Sequence, residues 1–350
     1  MVDTFKLLQE LTNIYSPSGY EGQAKQLLKE VVLPFVDNSY EDTHGNLICL
    51  KDNKSRHTLM LIAHIDEVGL MVTYIDDGGF IYFRPIGGID INILRGASVV
   101  IIHEGKKVYG IVGTIPIHMK SSQNEKELEY SDLWIDIGAK NKEDAEHLVS
   151  IGDGISVESC SHRLANNLVS CRATDDKSGI VVLAKVLENL SGELQDFNIF
   201  VVASIQEEIG TRGAITSTYS INPDICIAID VTHATDYPLM KKARYGDVKV
   251  NGGVVIPFGT DFNANLQYKF KYLAEIHNID FQIEARPGFS GTDIHAAQVS
   301  RGGCISGLLS IPCRYMHSQE EVVSIEDINS ATKLLTELCK LKYSEIVRKT

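Results

Sequence analysis

Two adjacent carboxylates follow an apolar run in the middle of the chain. Residues 197–210 read FNIFVVASIQEEIG, so an uncharged stretch ends shortly before Glu207 and Glu208. A short run rich in Val and Ile is typical of a buried strand in a parallel sheet, and ligands bind beyond the carboxyl ends of such strands. Two neighbouring carboxylates in a desolvated place repel each other unless a proton or a cation compensates them. Taken alone, such a pair is better explained as two solvated charges in a surface loop. A catalytic or metal-binding role is favoured only if other strands also end in ligand-type residues.

Other apolar runs end in residues of the same ligand types. Residues 58–63 (TLMLIA) lead into His64 and Asp66, whose side chains share one face of an extended strand because side chains alternate with a period of two. A later run leads into Asp230, and the last one leads into His317. A carboxylate beside a histidine fixes the orientation of a metal-bound imidazole. The H-x-D pattern therefore favours a metal-binding or catalytic histidine.

Acidic residues also open two predicted helices. Asp175 and Asp176 precede a helix predicted over residues 178–190, and capping of its N-terminus requires only one of them. Residues 290–293 (SGTD) open another helix, and we interpret the Thr or the Asp of this segment as its cap. At the start of the helix predicted over residues 178–190, one of the two aspartates is therefore not required for capping and is free for another role.

These segments are predicted to bring imidazoles and carboxylates to equivalent ends of one sheet. Imidazole nitrogen and carboxylate oxygen suit Zn²⁺, Co²⁺ or Mn²⁺. The carboxylates exceed what one tetrahedral ion requires, whereas two ions that share a bridging carboxylate would use more of them. Such a pair lowers the pKa of a water between the ions, and a carboxylate outside the metal sites serves as general base. We therefore expect two divalent metal ions per subunit.

Composition and charge exclude several classes of function. The chain has 350 residues, a hydrophobic content of 44%, a charged content of 23% and a formal net charge of −13, which is ordinary for a globular protein with room for two domains. An acidic chain lacks the basic face that non-specific binding to nucleic acid or to an anionic membrane requires. No run has transmembrane length, and the N-terminus does not resemble a signal peptide, so we expect a cytoplasmic protein.

The elements that must position these residues follow two different patterns. Residues 1–66 and 164–350 alternate between amphipathic helices and apolar strands, which predicts βαβ units around a mostly parallel sheet. Residues 67–163 contain short strands separated by Gly and Asp turns, which is typical of a β-rich module. We predict an α/β fold in which a discontinuous three-layer αβα domain carries an inserted, small, barrel-like domain. The charged segment 123–132 is predicted to be a surface loop of that insert.

The motifs, taken in order, resemble those of the M42 family of metallo-aminopeptidases. They are AHIDEVG at 63–69, TDDKSG at 174–179, QEEIGTRGA at 206–214, AID at 228–230, GTD at 291–293 and IPCRYMHS at 311–318, with GTIPIHM at 113–119 in the insert. The resemblance spans nearly the whole chain and is specific in combination and order. The sequence departs from the family pattern at Lys177, where Arg is usual, and at Gln319, where Pro is common.

The resemblance implies how the candidate ligands are divided between two metal ions. Asp175 would bridge the two ions. His64 and Asp230 would complete one metal site, whereas Glu208 and His317 would complete the other. On this assignment all the ligands are imidazoles or carboxylates, which agrees with the chemistry expected from the strand ends.

The resemblance also implies the catalytic residues and the activity. Glu207 would be the general base for the attacking water, and Asp66 would orient His64. The peptide bond between Asp175 and Asp176 would be cis. The enzyme would remove N-terminal residues from short peptides. The β-rich insert would mediate dimerisation, and dimers would assemble into a tetrahedral dodecamer with the active sites facing an inner chamber.

Three other functions remain as alternatives. A dinuclear deacylase or carboxypeptidase would use the same scaffold and the same metal ligands. A glycoside hydrolase also uses paired carboxylates, but they flank a glycosidic bond ~5–10 Å apart and are usually accompanied by aromatic platforms. This chain has a single tryptophan, Trp134, in the predicted insert. The third alternative is a non-catalytic binding protein with the same fold. Such a protein would not require the five metal ligands and the general base, all of which are present in this sequence.

Overall fold

The structure is a computed structural model that describes residues 2–119 and 127–347. Its helices are α1 (Thr4–Thr12), α2 (Gly22–Val32), α3 (Lys142–Glu146), α4 (Thr174–Asn189), α5 (Arg212–Ile221), α6 (Lys242–Tyr245), α7 (Ala264–Ile276), α8 (Asp293–Ala297), α9 (Ile325–Cys339) and α10 (Tyr343–Val347). Its strands are β1 (Asn38–Glu41), β2 (Leu47–Lys51), β3 (Thr58–His64), β4 (Gly69–Ile75), β5 (Ile81–Ile86), β6 (Ser98–His103), β7 (Lys106–Gly113), β8 (Trp134–Asp136), β9 (Gly154–Val157), β10 (His162–Arg163), β11 (Leu168–Cys171), β12 (Asn198–Ser204), β13 (Ile225–His233), β14 (Val254–Gly259), β15 (Phe281–Arg286), β16 (Ile305–Cys313) and β17 (Glu321–Ser324).

An eight-stranded, mostly parallel sheet lies at the centre of the larger part of the molecule. The strand order is β1-β2-β12-β3-β13-β16-β14-β15, and the central strands β12, β3, β13 and β16 are parallel to one another. In this register Ser204 lies opposite His64, and Ala228 lies opposite Ile62. Asp230 and His64 therefore leave the sheet at the same edge, each two residues beyond that last pair. The predicted parallel sheet is confirmed.

Helices cover both faces of this sheet, which confirms the predicted three layers. The apolar sides of α1, α2, α4, α7 and α9 pack on one face, where Leu61 and Leu183 are fully buried. Helices α5 and α8 cover the other face, where Ile62 and Ile294 are fully buried. Leu61 and Ile62 are neighbours in β3 and point to opposite faces, as the period of two requires. Burial of each such side chain contributes about 1.5–3 kcal/mol to the free energy of unfolding. The packing of both helix layers therefore stabilises the sheet and fixes the positions of the residues at its edge.

A second, smaller structure follows β3. Strands β4, β5, β8, β7, β6 and β9 close into an antiparallel barrel in that order. The barrel has its own apolar core, in which Leu70 and Ile135 are fully buried. All its strands fall between residues 67 and 163, which supports the predicted boundaries. We propose that these residues form an inserted domain and that the rest of the chain forms the αβα domain.

Two local predictions concern the charged segment 123–132 and the start of helix α4. In the charged segment 123–132, residues 123–126 lie outside the described residues, and Tyr130–Asp132 forms a 3-10 turn. Helix α4 includes Asp175 and Asp176, but both residues have non-helical backbone angles, so regular helix begins after them as predicted. Among the described residues, no helix is long and apolar enough to cross a lipid bilayer.

Candidate metal centre

His64, Asp175 and Asp230 form a buried cluster at the carboxyl edge of the sheet. The distance from His64 Nε2 is 3.0 Å to Asp175 Oδ1 and 3.9 Å to Asp230 Oδ1. One ligand atom from each of the three residues lies within 4.8 Å of the others. His64 and Asp230 are brought there by adjacent parallel strands, whereas Asp175 comes from the start of α4.

A second cluster shares Asp175 with the first. Its other carboxylate oxygen, Oδ2, lies 3.1 Å from His317 Nε2, and that nitrogen lies 3.3 Å from Glu208 Oε1. The ligand atoms of these three residues also lie within 4.8 Å of one another. The two carboxylate oxygens of one aspartate thus face two different histidines. The structure brings together all five residues that the sequence predicted to be metal ligands.

The backbone around these ligands adopts uncommon conformations. The Asp175–Asp176 peptide bond is cis, as the family resemblance implies. His317 itself has a φ of 60°, and Gln206, just before the two glutamates, has a φ of 57°. Left-handed conformations of residues other than glycine are sparsely populated and concentrate at functional sites, where the surrounding structure enforces them. Packing around the sheet edge therefore holds His317 and Gln206 in backbone conformations that an unconstrained chain seldom adopts.

Asp66 connects His64 to the two glutamates. Its carboxylate accepts hydrogen bonds from the backbone N–H groups of Glu207 at 3.1 Å and Glu208 at 3.2 Å, and from the Ser18 hydroxyl at 2.6 Å. His64 Nδ1 lies 3.2 Å from the Asp66 carbonyl oxygen and 3.7 Å from its carboxylate. Asp66 thus contacts the ring nitrogen that faces away from Asp175, and it also fixes the backbone that carries both glutamates.

Glu207 lines the same cavity but belongs to neither cluster of ligand atoms. Its side chain is buried, with 8% of the residue surface exposed. Burial raises the pKa of Glu207 well above its usual value, the charge of Asp230 adds to this, and His64 opposes it. A carboxylate with a raised pKa is a stronger proton acceptor than an ordinary glutamate, which suits a general base beside the metal ligands.

The histidines hold protons tightly in the protein without metal. Burial by itself lowers the pKa of His317, but Asp175 and Glu208 outweigh burial and raise it to about 11. The pKa of His64 is likewise raised well above its usual value, because Asp175 and Asp66 outweigh burial. Burial and the charge of Asp175 raise the pKa of Asp230 to about 8. An excess of carboxylate charge in a desolvated place therefore attracts positive charge, either as protons or as metal ions.

The donor set and its unsatisfied atoms fit divalent metal ions. Glu208 Oε1 and Asp176 Oδ2 are buried and have no hydrogen-bond partner among the described residues, although His317 Nε2 lies 3.3 Å from Glu208 Oε1. Buried charged oxygens are costly unless they are paired or coordinate a metal. Imidazole and carboxylate donors are those of Zn²⁺, Co²⁺ and Mn²⁺ sites.

Glu321 was not among the sequence candidates, yet it contacts both ligand-bearing segments. Its Oε2 accepts hydrogen bonds from the backbone N–H of Asp175 at 3.0 Å and from Thr174 Oγ1 at 2.8 Å, and its Oε1 accepts from the backbone N–H of His317 at 2.8 Å. The residue is buried. A sequence signal existed, because Glu320 and Glu321 form an acidic pair beside a buried strand, as Glu207 and Glu208 do.

Residues 290–293 open helix α8 as predicted, and Thr292 occupies its N-cap position. Among the described contacts, however, the Thr292 side chain forms no capping hydrogen bond. The Asp293 side chain is instead fully buried and accepts a short hydrogen bond from Ser204, which lies opposite His64 in the sheet. Burial raises the pKa of Asp293 to about 6. The motif GTD therefore supplies a buried acid beneath the site, which local helix chemistry did not reveal.

The metal centre opens into a cavity of about 730 Å³. Besides the ligands, its walls come from the end of β13, the end of β15, residues 237–245, which include the short helix α6, and the loop 287–292. A volume of this size accommodates a small ligand or the end of a peptide. The cluster of ligands is thus accessible from outside, at the place where ligands bind to parallel sheets.

The chain is similar to several known peptidases. The model of a family described as M42 glutamyl aminopeptidase matches residues 45–334. The lysyl aminopeptidase of Pyrococcus furiosus is 31% identical over 338 residues, which cover 95% of this chain and 96% of that protein. The aminopeptidase APDkam598 of the archaeon Desulfurococcus kamchatkensis has a similar structure, with a TM-score of 0.91, 32% identity, and coverage of 99% of this chain and 96% of that chain.

A further structural relative is the TET1 peptidase of Pyrococcus horikoshii, which is described as able to assemble into a tetrahedron or a large octahedral shell. The TM-score is 0.86 and the identity 30%, and the alignment covers 96% of this chain and 99% of that chain. The family match covers most of the chain, and the relatives align over nearly their whole length. The chain therefore belongs to the M42 family of metal-dependent aminopeptidases.

Proposed function

We propose that this protein is an aminopeptidase that uses two divalent metal ions to hydrolyse the first peptide bond of short peptides. The observation that carries the proposal is the sharing of Asp175 between two clusters of histidine and carboxylate atoms. His64, Asp175 and Asp230 would hold one ion, and Asp175, Glu208 and His317 would hold the other. Zn²⁺, Co²⁺ and Mn²⁺ all suit these donors. When bound, such a pair of ions acidifies water and polarises the scissile carbonyl group.

Glu207 is the proposed general base. It is the buried carboxylate of the cavity that stands next in sequence to a ligand and yet lies outside both clusters. Its raised pKa suits a group that takes a proton from the attacking water and then passes it to the leaving amine. Asp66 acts as a positioning residue, because it holds the backbone of Glu207 and contacts His64 Nδ1.

A screen of aminoacyl-p-nitroanilides with Zn²⁺, Co²⁺ or Mn²⁺ tests this function. We expect hydrolysis that EDTA abolishes and that added metal restores. N-acyl amino acids in parallel assays test the alternative of a dinuclear deacylase or carboxypeptidase. Release of the acyl group without cleavage of any aminoacyl-p-nitroanilide would favour that alternative and contradict the proposal. Activity towards glycosides that survives EDTA would favour a glycoside hydrolase.

We also propose that the protein forms homo-oligomers, with dimers assembling into a tetrahedral dodecamer. The similarity to a TET1 peptidase that assembles into closed shells supports this proposal. Barrel strand β7 and the segment that follows it add support, because Tyr109, Ile111, Ile115 and Met119, which lie close together in sequence, expose 49% to 78% of their surface in a single chain. Apolar groups exposed close together are typical of interaction surfaces. Light scattering should give a mass near that of twelve chains, and a monomer at all concentrations would contradict the proposal. The cytoplasmic location stays a prediction.

The preferred N-terminal residue does not follow from these comparisons. The family description names glutamyl substrates, whereas the Pyrococcus furiosus relative is named for lysyl substrates. These side chains carry opposite charges. The preference of this chain must therefore come from the side chains that line its own cavity.

A further inference from the structure

The wall that β15 contributes to the cavity contains a pair of opposite charges that neutralise each other. Glu284 and Arg286 are two residues apart on the edge strand β15, so their side chains share one face of that strand. Arg286 Nε lies 3.2 Å from Glu284 Oε2, and about 16% and 14% of the two side chains are exposed. Both residues line the cavity that contains His64 and His317.

Further hydrogen bonds hold this pair in place. Arg286 Nη2 donates to Thr232 Oγ1 at 2.5 Å, and that hydroxyl donates to Glu284 Oε2 at 3.0 Å. Arg286 Nη1 donates to the carbonyl oxygen of Ser290 at 3.0 Å. Thr232 is almost fully buried at the end of β13. Each nitrogen of the guanidinium group thus already has a partner within the protein, and the whole group is anchored to both β13 and the loop 287–292.

The rest of this wall is uncharged. Apart from the metal ligands, Glu207 and the Glu284–Arg286 pair, the described residues of the lining contribute no carboxylate, lysine or arginine. The larger side chains there are Tyr237, Met240, Tyr245, Phe289 and Met316. The lining also includes the imidazole of His233, whose pKa is lowered by burial and by the charge of Arg286, which disfavours the charged form of this ring. The wall therefore has no net charge and offers mainly apolar and aromatic contacts.

We infer that this wall is the specificity pocket for the first residue of the peptide and that it selects uncharged side chains of medium to large size, such as those of Leu, Met and Phe. The inference rests on the aminopeptidase function proposed above. A glutamate side chain would need Arg286, which Glu284 already neutralises, and a lysine side chain would need Glu284, which Arg286 already neutralises. Separating a largely buried ion pair to bind either one leaves the other charge uncompensated. An uncharged side chain binds with no such cost and gains from the removal of apolar surface from water.

The first test compares substrates with the full-length, metal-loaded protein. We expect kcat/KM for the p-nitroanilides of Leu, Met and Phe to exceed that for Glu and Lys by about tenfold or more. In calorimetry, free L-leucine is expected to bind more tightly than L-glutamate or L-lysine. A preference for Glu or Lys of similar size would overturn the inference while leaving the aminopeptidase function intact. If no aminoacyl substrate is cleaved, the proposed function fails, and this inference fails with it.

The second test changes the charge of the wall. Glu284→Gln leaves Arg286 unpaired, so activity towards the Glu substrate relative to the Leu substrate is expected to rise about tenfold. Arg286→Met leaves Glu284 unpaired, so the same gain is expected for the Lys substrate. The double variant has no net charge at these two positions and is expected to regain the wild-type order of preference. Its recovery would show that the single variants change specificity through charge and not through a general loss of structure.

A matched control is Glu275→Gln, which removes a carboxylate of a solvent-exposed pair with Lys271 on α7. It is expected to leave the order of preference unchanged. Metal content and melting temperature of every variant are measured first, since a variant that loses metal reports on the metal centre instead of the pocket. If one single variant does not fold, the other single variant and the wild-type panel still decide the question. Unchanged preference in both folded, metal-loaded single variants would overturn the inference.

Discussion

Glu207 and Glu208 are neighbours in sequence, but the structure gives them different surroundings. Glu208 lies with Asp175 and His317 in a cluster of metal-ligand type, whereas Glu207 lies in neither cluster. Both glutamates line the cavity and lie in the loop after β12, just beyond Gln206 in its left-handed conformation, but only the Glu208 carboxylate lies beside His317 Nε2. The pair therefore divides into a proposed ligand and a proposed base.

Replacement of Glu207 by Gln should remove turnover without removing metal. The amide cannot accept the proton of the attacking water, so kcat is expected to fall by about 10²–10⁴-fold. Metal analysis and a kcat measurement on the same sample check this. Glu208→Gln is the contrasting variant, because it is expected to lose metal from one site. Near wild-type kcat for the Glu207 variant would rule it out as the base.

The sharing of Asp175 predicts different metal contents for two aspartate variants. Asp175→Asn weakens both sites, because each carboxylate oxygen faces one histidine. Asp230→Asn weakens only the cluster that contains His64. Elemental analysis after dialysis should show loss of both ions in the first variant and retention of one ion per chain in the second. Equal loss in the two variants would contradict a bridging role for Asp175.

Metal uptake should release protons. In the metal-free protein the pKa of His317 is raised to about 11 and that of His64 lies well above its usual value, so both rings are protonated at pH 7. Metal ions bind neutral imidazole, so binding displaces these protons, and affinity is expected to increase as pH rises towards the raised pKa values of the two rings. Titration calorimetry in buffers with different ionisation enthalpies measures the release. Heats that do not depend on the buffer would contradict it.

At the level of elements, two ligands depend on contacts that no single helix or strand supplies. Asp175 stands at the start of α4, where its backbone is not helical, and His317 stands between β16 and β17 in a left-handed conformation. Glu321, the first residue of β17, accepts hydrogen bonds from the backbone of both. One side chain therefore fixes the distance between the two segments.

Glu321→Gln is expected to weaken metal binding although Glu321 is not a ligand. The amide keeps the shape of the side chain but can accept at only one of its two ends, so one segment loses its anchor. Outer residues of this kind typically change metal affinity by about 10–100-fold. Competition with a chromogenic chelator measures the affinity. The neighbouring Glu320→Gln serves as control, because Glu320 bonds to Ser159 and Ser170 instead, and it is expected to leave the affinity unchanged.

At the level of the whole molecule, a buried ionic cluster joins the barrel to the sheet. Glu67 follows β3 and forms an ion pair with Arg172, and it accepts hydrogen bonds from the Ser16 backbone at 3.1 Å and from Ser156 of barrel strand β9 at 2.9 Å. Burial alone raises the pKa of Glu67, but Arg172 and Lys177 outweigh burial and lower it. This cluster connects the two cores by charge and hydrogen bonds rather than by apolar packing.

Arg172→Leu should destabilise the whole protein. Among the described residues, the change leaves Lys177 Nζ, 3.8 Å away, as the cation paired with buried Glu67. It also removes hydrogen bonds to the carbonyl oxygens of Thr12 and Ile14. Breaking one side of a buried pair typically costs about 3–5 kcal/mol of the free energy of unfolding, and Lys177 favours the lower end. Urea denaturation measures the change. Lys271→Leu on the solvent-facing side of α7 is the control, for which a change within about 0.5 kcal/mol is expected.

Much of this architecture follows from local pattern. The Val- and Ile-rich run before Glu207 predicts a buried strand, and the H-x-D unit after β3 predicts a histidine with a carboxylate beside it; both features are present in the structure. The barrel follows from short strands between Gly and Asp turns. These inferences succeed because period, turn residues and strand ends are local properties of the chain, so they are visible in a window of a few residues.

The sequence by itself thus determined the types of residue available for a metal centre, the strands that end in them and the family to which the chain belongs. Tertiary structure alone decided that both oxygens of Asp175 face histidines, that Glu321 anchors two segments and that Glu284 neutralises Arg286. Asp175 is separated from His64 by 111 residues and from His317 by 142. Distances between such residues are set by sheet register and by the packing of helices on the sheet, which no local pattern contains.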